Sequence, residues 1–182
     1  MSGIERRAQV LETALHVFAR HGYRKASMDD VARAADISRP GLYLYFSSKA
    51  ELFRATVEHA LDGSIQAAQQ ALSDLDAPLR DRLIEAFDHW SGRYVGPLAA
   101  EIDVLIDANP GLLGTMPVEY SRRFLATVTE TLTAVEHRHT RTTPADVART
   151  LISTAAGIKH DVSTRDEFQA RMTIAIDLYC AT

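Results

Sequence analysis

Residues Ser27 to Lys49 read SMDDVARAADISRPGLYLYFSSK. Ser27 stands three residues before Asp30, the spacing of a capping box, and predicts a helix start. Val31, Ala32 and Ala35 give that helix one apolar face at helical spacing. Asp36-Ile37 leaves room only for a tight turn. Ser38 is placed to cap a second short helix, with Pro40 in its first turn, where a missing N–H costs nothing. Leu42 and Phe46, four apart, are expected to face inward, with Arg39, Tyr43 and Tyr45 pointing out. Two helices joined this tightly make a helix-turn-helix over 27–46. The second helix of such a unit enters the DNA major groove. An exposed arginine beside two exposed tyrosines is more than solvation requires.

The order ISRPGLYLYFSSKAEL, preceded by FARHGYRKASMDDVARAAD, resembles the DNA-binding domain of the tetracycline-repressor (TetR) family across residues 4 to 64. Asp36 stands where that family usually has glycine, and Asp tolerates a left-handed turn better than most residues. Pro40-Gly41 replaces a commoner Gly-Thr or Pro-Thr. The resemblance implies an all-α protein of about nine helices. Residues 1–64 would form a three-helix DNA-binding domain, and 65–182 a helical ligand-binding and dimerisation domain. It implies that Ser38–Phe46 lies in a major groove. Arg39, Pro40, Gly41 and Tyr43 would then face bases, and Ser27, Tyr43, Tyr45 and Lys49 would hold phosphates.

Composition agrees with a globular chain: 46% hydrophobic and 24% charged over 182 residues. No apolar run approaches a membrane span, and no apolar stretch follows Arg6 and Arg7 as in a signal peptide, so a cytoplasmic protein is expected. Cys180 is the single cysteine, which excludes an internal disulfide and a cysteine-based zinc site. The net charge of −4 hides an asymmetry. Residues 1–60 carry nine Lys and Arg against seven Asp and Glu; the remainder carries eleven against seventeen. A phosphate-binding face therefore belongs at the N-terminal end.

Around that core the helices follow by periodicity. The first starts near Ser2 and buries Val10, Leu11, Ala14, Leu15 and Phe18 until Gly22 stops it. Tyr23 is expected under the turn. Arg24 and Lys25 follow, with at least one against a phosphate as the reading beside plain solvation. Ser48 and Glu51 form another capping box. It opens a long helix carrying Leu52, Phe53, Thr56, Val57, Ala60, Leu61, Ile65 and Ala68 toward Leu72, a strut between the two domains. Lys49 and the start of this helix together suit a phosphate.

Asp74 to Pro78 reads as a linker, with Asp76 capping a fifth helix. Leu79, Leu83, Phe87, Trp90 and Tyr94 form an aromatic stripe along it, read either as core or as the wall of an apolar cavity. A sixth helix from Gly96-Pro97 to Asn109-Pro110 carries Leu98, Ile102, Leu105 and Ile106. Its Asp103 and Asp107 form either a solvated acidic face or a site for a cation. The apolar stretch NPGLLGTMP (109–117) is a candidate cover for a pocket mouth. A seventh helix starts at Pro117, carries Tyr120, Phe124, Val128 and Val135, and ends at His137, Arg138 and His139. Those two histidines are a poor metal pair, because residues two apart on a helix diverge. The candidate pocket is Phe87, Trp90, Tyr94, Ile102, Ile106, Met116, Tyr120 and Phe124.

Thr143-Pro144-Ala145-Asp146 starts the eighth helix, and a ninth begins near Asp166. Both are apolar on two faces. One face fits the body of the chain, and the second calls for a partner or for enclosure within the subunit. The candidate dimer interface is Ala148, Leu151, Ile152, Ala155, Phe168, Met172, Ala175 and Tyr179, in a symmetric four-helix arrangement.

There is no strand pattern and no G-x-S-x-G, H-E-x-x-H or dinucleotide fingerprint. The expectation is a homodimeric transcriptional repressor, not an enzyme, with no cofactor and no metal. It would bind a palindromic double-stranded operator and be released by a small apolar or cationic effector. Two alternatives stand beside it. One is a DNA-binding protein of this fold without an effector. The other is a helical-bundle enzyme or carrier, which leaves Arg39, Tyr43 and Tyr45 unexplained.

Overall fold

The computed structural model describes residues 3–96, 105–106, 108–135 and 142–180, and every described regular element is helical. The helices are α1 (Gly3–Lys25), α2 (Met28–Ala34), α3 (Arg39–Tyr43), α4 (Lys49–Ser73), α5 (Leu79–Trp90), α6 (Pro110–Leu113), α7 (Met116–Thr133), α8 (Pro144–Asp161) and α9 (Arg165–Cys180), with a 3-10 turn at Gly92–Tyr94. The chain divides into two compact units. One holds Met1–Gly63 and Leu98–Pro117, the other Ser64–Pro97 and Val118–Thr182.

In the first unit, α1 buries Val10, Leu11, Ala14, Val17, Phe18 and Ala19. Leu15, expected in that stripe, is only half-buried. Gly22 breaks the helix at φ 72°, a left-handed conformation that glycine adopts without Cβ strain. Phe18, Tyr23 and Phe53 then form an aromatic cluster. The Phe18 and Phe53 rings meet edge to face at 5.2 Å, and Tyr23 lies 4.9 Å from Phe53. Ser48 caps α4 by accepting from the Glu51 N–H at 3.1 Å. The return bond goes one residue further back than expected, to the backbone N–H of Ser47 at 2.8 Å. Arg54 of α4 donates to the Leu113 carbonyl at 3.2 Å, in the unpaired last turn of α6. Of the sixth helix read over 96–110, Ile102, Asp103 and Asp107 lie outside the described residues. Residues 110–113, read as loop, form the short helix α6, started by Pro110.

In the second unit, α9 packs on both α5 and α8. Asp74, not Asp76, organises the turn before α5, its carboxylate accepting from the Asp76 N–H at 3.2 Å. Helix α5 ends at Trp90, four residues earlier than the aromatic stripe suggests, and Tyr94 sits in the 3-10 turn. Phe124, Val128 and Leu132 form the buried face of α7 with Tyr120. Val135 lies past its end and is exposed, and residues 136–141, including His137, Arg138 and His139, fall outside the described residues. Thr143 caps α8 as expected, in a full capping box with Asp146.

Two ion pairs lock α9 to α5. Arg80 holds Asp177 through two bonds, one of them 3.0 Å, and Arg165 grips Asp88 bidentately. Asp88 is almost fully buried, so its charge depends on that guanidinium. Nothing in the periodicity of α5 singled out Asp88.

The faces of α8 and α9 correct the expected dimer surface. Ala148, Leu151, Ala155, Phe168 and Met172 are buried inside the chain itself, and Ile152, Ala175 and Tyr179 are half-buried. The sides left open carry Ala156 and Gly157 on α8, and Ala170, Ile174 and Leu178 on α9. Ile174 is 62% and Leu178 74% exposed. Each helix is apolar on two sides, and the inner ones carry Leu151 and Ile158 of α8 and Phe168, Met172 and Ile176 of α9.

Candidate DNA-binding site

Local bonds between nearby residues fix the α2–α3 pair. The Ser27 hydroxyl accepts from the Asp30 N–H at 3.2 Å and donates to the Asp30 carboxylate at 2.6 Å. The Ser27 N–H donates to the same carboxylate at 3.0 Å. These bonds hold Asp30 below the ordinary carboxylate range, the hydroxyl contributing most. Asp36 makes the turn at φ 51°, the one positive φ at a non-glycine among the described residues. Arg6, reaching across from α1, donates to the Asp36 carbonyl at 2.9 Å and pins the turn from behind. Ser38 caps α3 by accepting from the Gly41 N–H at 3.1 Å. Leu42 and Phe46 are buried as expected.

The outer side of α3 carries Arg39, Pro40 and Tyr43, all exposed, with Gly41 partly open. The Arg39 guanidinium faces Asp29 of α2, with Nε 3.2 Å from a carboxylate oxygen, and lies 5.8 Å from the Tyr43 ring centroid. Tyr43 first, then Asp29, raise the Arg39 pKa still further above neutrality. An ion pair this exposed is screened by water, so it yields readily to a better acceptor. Tyr45, expected to point out, is half-buried, its ring 6.4 Å from Phe46. Lys25 and Arg24 are exposed beyond the break at Gly22.

Two residues read as phosphate ligands have other work here. Both donors of Ser27 go to Asp30. The Lys49 ammonium donates to the backbone carbonyls of Tyr23 at 2.9 Å and Ala26 at 3.1 Å, with Arg24 at 3.4 Å, and lies 4.5 Å from the Tyr23 ring centroid. It fastens the end of α1 to the start of α4. Arg6 holds the turn of the helix-turn-helix and Lys49 the segment that leads into it, and sequence spacing gave no signal for either role. Leu44, which the reading passed over, is 87% exposed at the end of α3.

The candidate pocket residues divide between the units. Ile106 and Met116 belong to the first unit and Ile102 lies outside the described residues. In the second, Trp90 stacks on Phe124 at 4.8 Å and Phe87 meets Phe124 edge to face at 5.2 Å. The Tyr94 hydroxyl is bonded to the buried Ser64 hydroxyl at 2.7 Å. Tyr120 is buried, with Arg123 4.7 Å from its ring centroid.

Residues 10–56 match the family described as bacterial regulatory proteins, tetR family. The chain is 44% identical over 68 residues to the HTH-type transcriptional activator FasR of Mycolicibacterium smegmatis, covering 37% of this chain and 31% of FasR. It therefore spans less than a third of the length of that relative. The fold is shared along the whole chain. A TetR-family regulator structure from Mesorhizobium loti superposes with a TM-score of 0.77 at 18% identity, covering 100% of this chain and 98% of that one. The SmeT–triclosan complex gives a TM-score of 0.72 at 22% identity, covering 97% and 90%. Residues 10–56 thus match the tetR family of bacterial regulatory proteins, and the chain as a whole shares its fold with the solved structures above.

Proposed function

We propose that the protein is a sequence-specific DNA-binding transcriptional regulator, a repressor that a small-molecule effector releases from its operator. The observation that carries this reading is α3 itself. It is five residues long, capped by Ser38, seated on Leu42, and presents Arg39, Pro40, Gly41 and Tyr43 on its open side. Arginine to guanine is the commonest specific base contact, and Gly41 lets the backbone come close. Tyr43, Tyr45 and Lys25 are the phosphate contacts of this reading. Lys49 and Ser27 serve it indirectly, by holding the helices that carry those groups. A dimer built on the open faces of α8 and α9 would present two such helices to a palindromic operator, about one DNA turn apart.

Repression follows from occupancy, since a bound dimer excludes other proteins from the same DNA. The effector is proposed by likeness of fold to a protein described in complex with triclosan. Its place in this chain would be the aromatic region of α5 and α7. A specific observation favours a second reading, DNA binding without an effector. Phe87 and Trp90 both pack against Phe124, one edge to face and one stacked, as rings that fill a core do.

The test is fluorescence anisotropy with duplexes from just upstream of the protein's own gene, at two salt concentrations. Selective binding that persists at the higher salt is expected, with loss of that selectivity in Arg39→Ala at unchanged oligomeric state. Equal binding by Arg39→Ala would remove the base-reading assignment. Weak binding that vanishes with salt would leave only phosphate attraction.

A further inference from the structure

We propose that Leu44 is a base-reading residue of this protein, packed in the complex against the 5-methyl group of a thymine in the major groove. The inference rests on the DNA-binding reading above and adds to it a residue and a base.

The backbone of Leu44 is still helical, at φ −70° and ψ −24°, and its N–H bonds the Pro40 carbonyl at 3.2 Å. The helical rotation of roughly 100° per residue therefore holds through this position. Taking Leu42 as the inward direction, Phe46 falls about 40° away and both are buried. Pro40 and Leu44 fall about 160° and 200° away, straight out from the core. Tyr45, in the turn that follows the helix, is half-buried, and Arg39, at the helix start, stays exposed beside Asp29. The ridge that projects furthest is thus apolar, made of Pro40 and Leu44. Tyr43 beside it is 42% exposed.

Leu44 adds nothing to the core from there. Its side chain has no donor or acceptor, so neither a phosphate nor a polar base edge can reward its approach. Among the groups base pairs present in the major groove, the thymine 5-methyl is the apolar one. Placing Leu44 on it removes both from water. Placing Leu44 over the cytosine amino group strips that donor of water and returns nothing.

The test starts from a randomised duplex pool, with the wild-type protein and Leu44→Ala each used to select bound sequences. The wild-type consensus is then remade with deoxyuridine replacing each thymidine in turn, which deletes only the methyl group. For wild type, one thymine in each half-site should weaken binding about fourfold on this replacement, the worth of one methyl removed from water. Leu44→Ala should bind the thymine and uracil duplexes equally and select a consensus degenerate at that position. Because Leu44 is exposed, this variant keeps its fold, which circular dichroism checks. If wild type binds a consensus but no uracil replacement matters, or if Leu44→Ala keeps the same preference, the inference is overturned while the DNA-binding reading stands. If neither protein enriches any sequence, both fall together.

Discussion

Asp36 shows how much one residue decides. At φ 51° its backbone is left-handed, a conformation that costs most L-residues about 1–2 kcal/mol. Asp lowers that penalty without removing it, and no hydrogen bond of its side chain is needed for the turn, which Arg6 grips through the Asp36 carbonyl. Asp36→Gly is therefore expected to unfold at equal or higher urea concentration than wild type. Asp36→Val should lose about 1–2 kcal/mol, because a β-branched residue meets the full penalty. A parallel loss of stability in both would mean that the carboxylate, not the backbone, matters. Lys49 is a second residue on which the domain depends. Its ammonium satisfies carbonyls that α1 leaves open after Gly22. Lys49→Met keeps the aliphatic stem and removes those bonds, and should cost about 1–2 kcal/mol, toward the low side for charged hydrogen bonds because the site is half-exposed. Hydrogen exchange should quicken first at the amides around Ala26. These two residues also mark what sequence reveals. The Ser27, Ser38 and Thr143 caps were legible because each partner lies three residues away. The carbonyl partners of Lys49 lie 23 to 26 residues away, so no spacing rule finds them.

Between elements, the contact of α5 with α9 depends on the absence of one side chain. Gly92 opens the 3-10 turn one residue beyond α5, and a Cβ there would overlap Asp88 Oδ1 and stand 2.9 Å from Phe168 Cδ1. Phe168 is fully buried and Asp88 is held by Arg165, so neither can step aside. Gly92→Ala should cost about 1–3 kcal/mol by overpacking, read as a lower thermal midpoint. Arg165→Met should cost about 3 kcal/mol, since it strands the buried carboxylate. The double variant Asp88→Leu with Arg165→Met is expected to recover much of that loss, and no recovery would mean that the pair contributes more than mutual neutralisation. Helix periodicity located α1, α4, α7, α8 and α9 within a few residues, because each has a clear apolar stripe. It failed where two stripes coexist. On α8 and α9 it put Phe168 and Met172 outward, when the chain uses them as its own core. It also carried α5 through to Tyr94, because a 3-10 turn at Gly92–Tyr94 keeps nearly the same spacing of rings.

For the molecule as a whole, four carboxylates, two exposed and two half-buried, set the response to acid. Asp30, Glu51, Asp146 and Asp177 are each held below their ordinary values, Asp177 by Arg80 and the others first by the hydroxyls of Ser27, Ser47 and Thr143. A carboxylate whose folded pKa is depressed stabilises the fold at any pH above its unfolded value, and that contribution disappears as pH falls through the folded value. With ordinary values of 3.8 for Asp and 4.5 for Glu, these groups predict a thermal midpoint that is flat from neutrality to about pH 5 and falls below about pH 4. The last expectation concerns assembly. A single chain that leaves Ile174 and Leu178 open on one helix, next to Ala156 and Gly157 on its neighbour, carries an apolar strip with small residues that permit close approach. Under two-fold symmetry such a strip meets its own copy, so one substitution acts twice. Leu178→Glu places two carboxylates in the same apolar contact. In the proposed dimer it should shift the protein to monomer in sedimentation at micromolar concentration, while the helical content of each chain is kept. Phe168→Ala offers the contrast, since Phe168 is core. It should lower the thermal midpoint and leave the dimer's affinity largely unchanged wherever the chain remains folded. If Leu178→Glu stays dimeric, the symmetric contact lies elsewhere, and the two operator-reading helices would have to be spaced by a different surface.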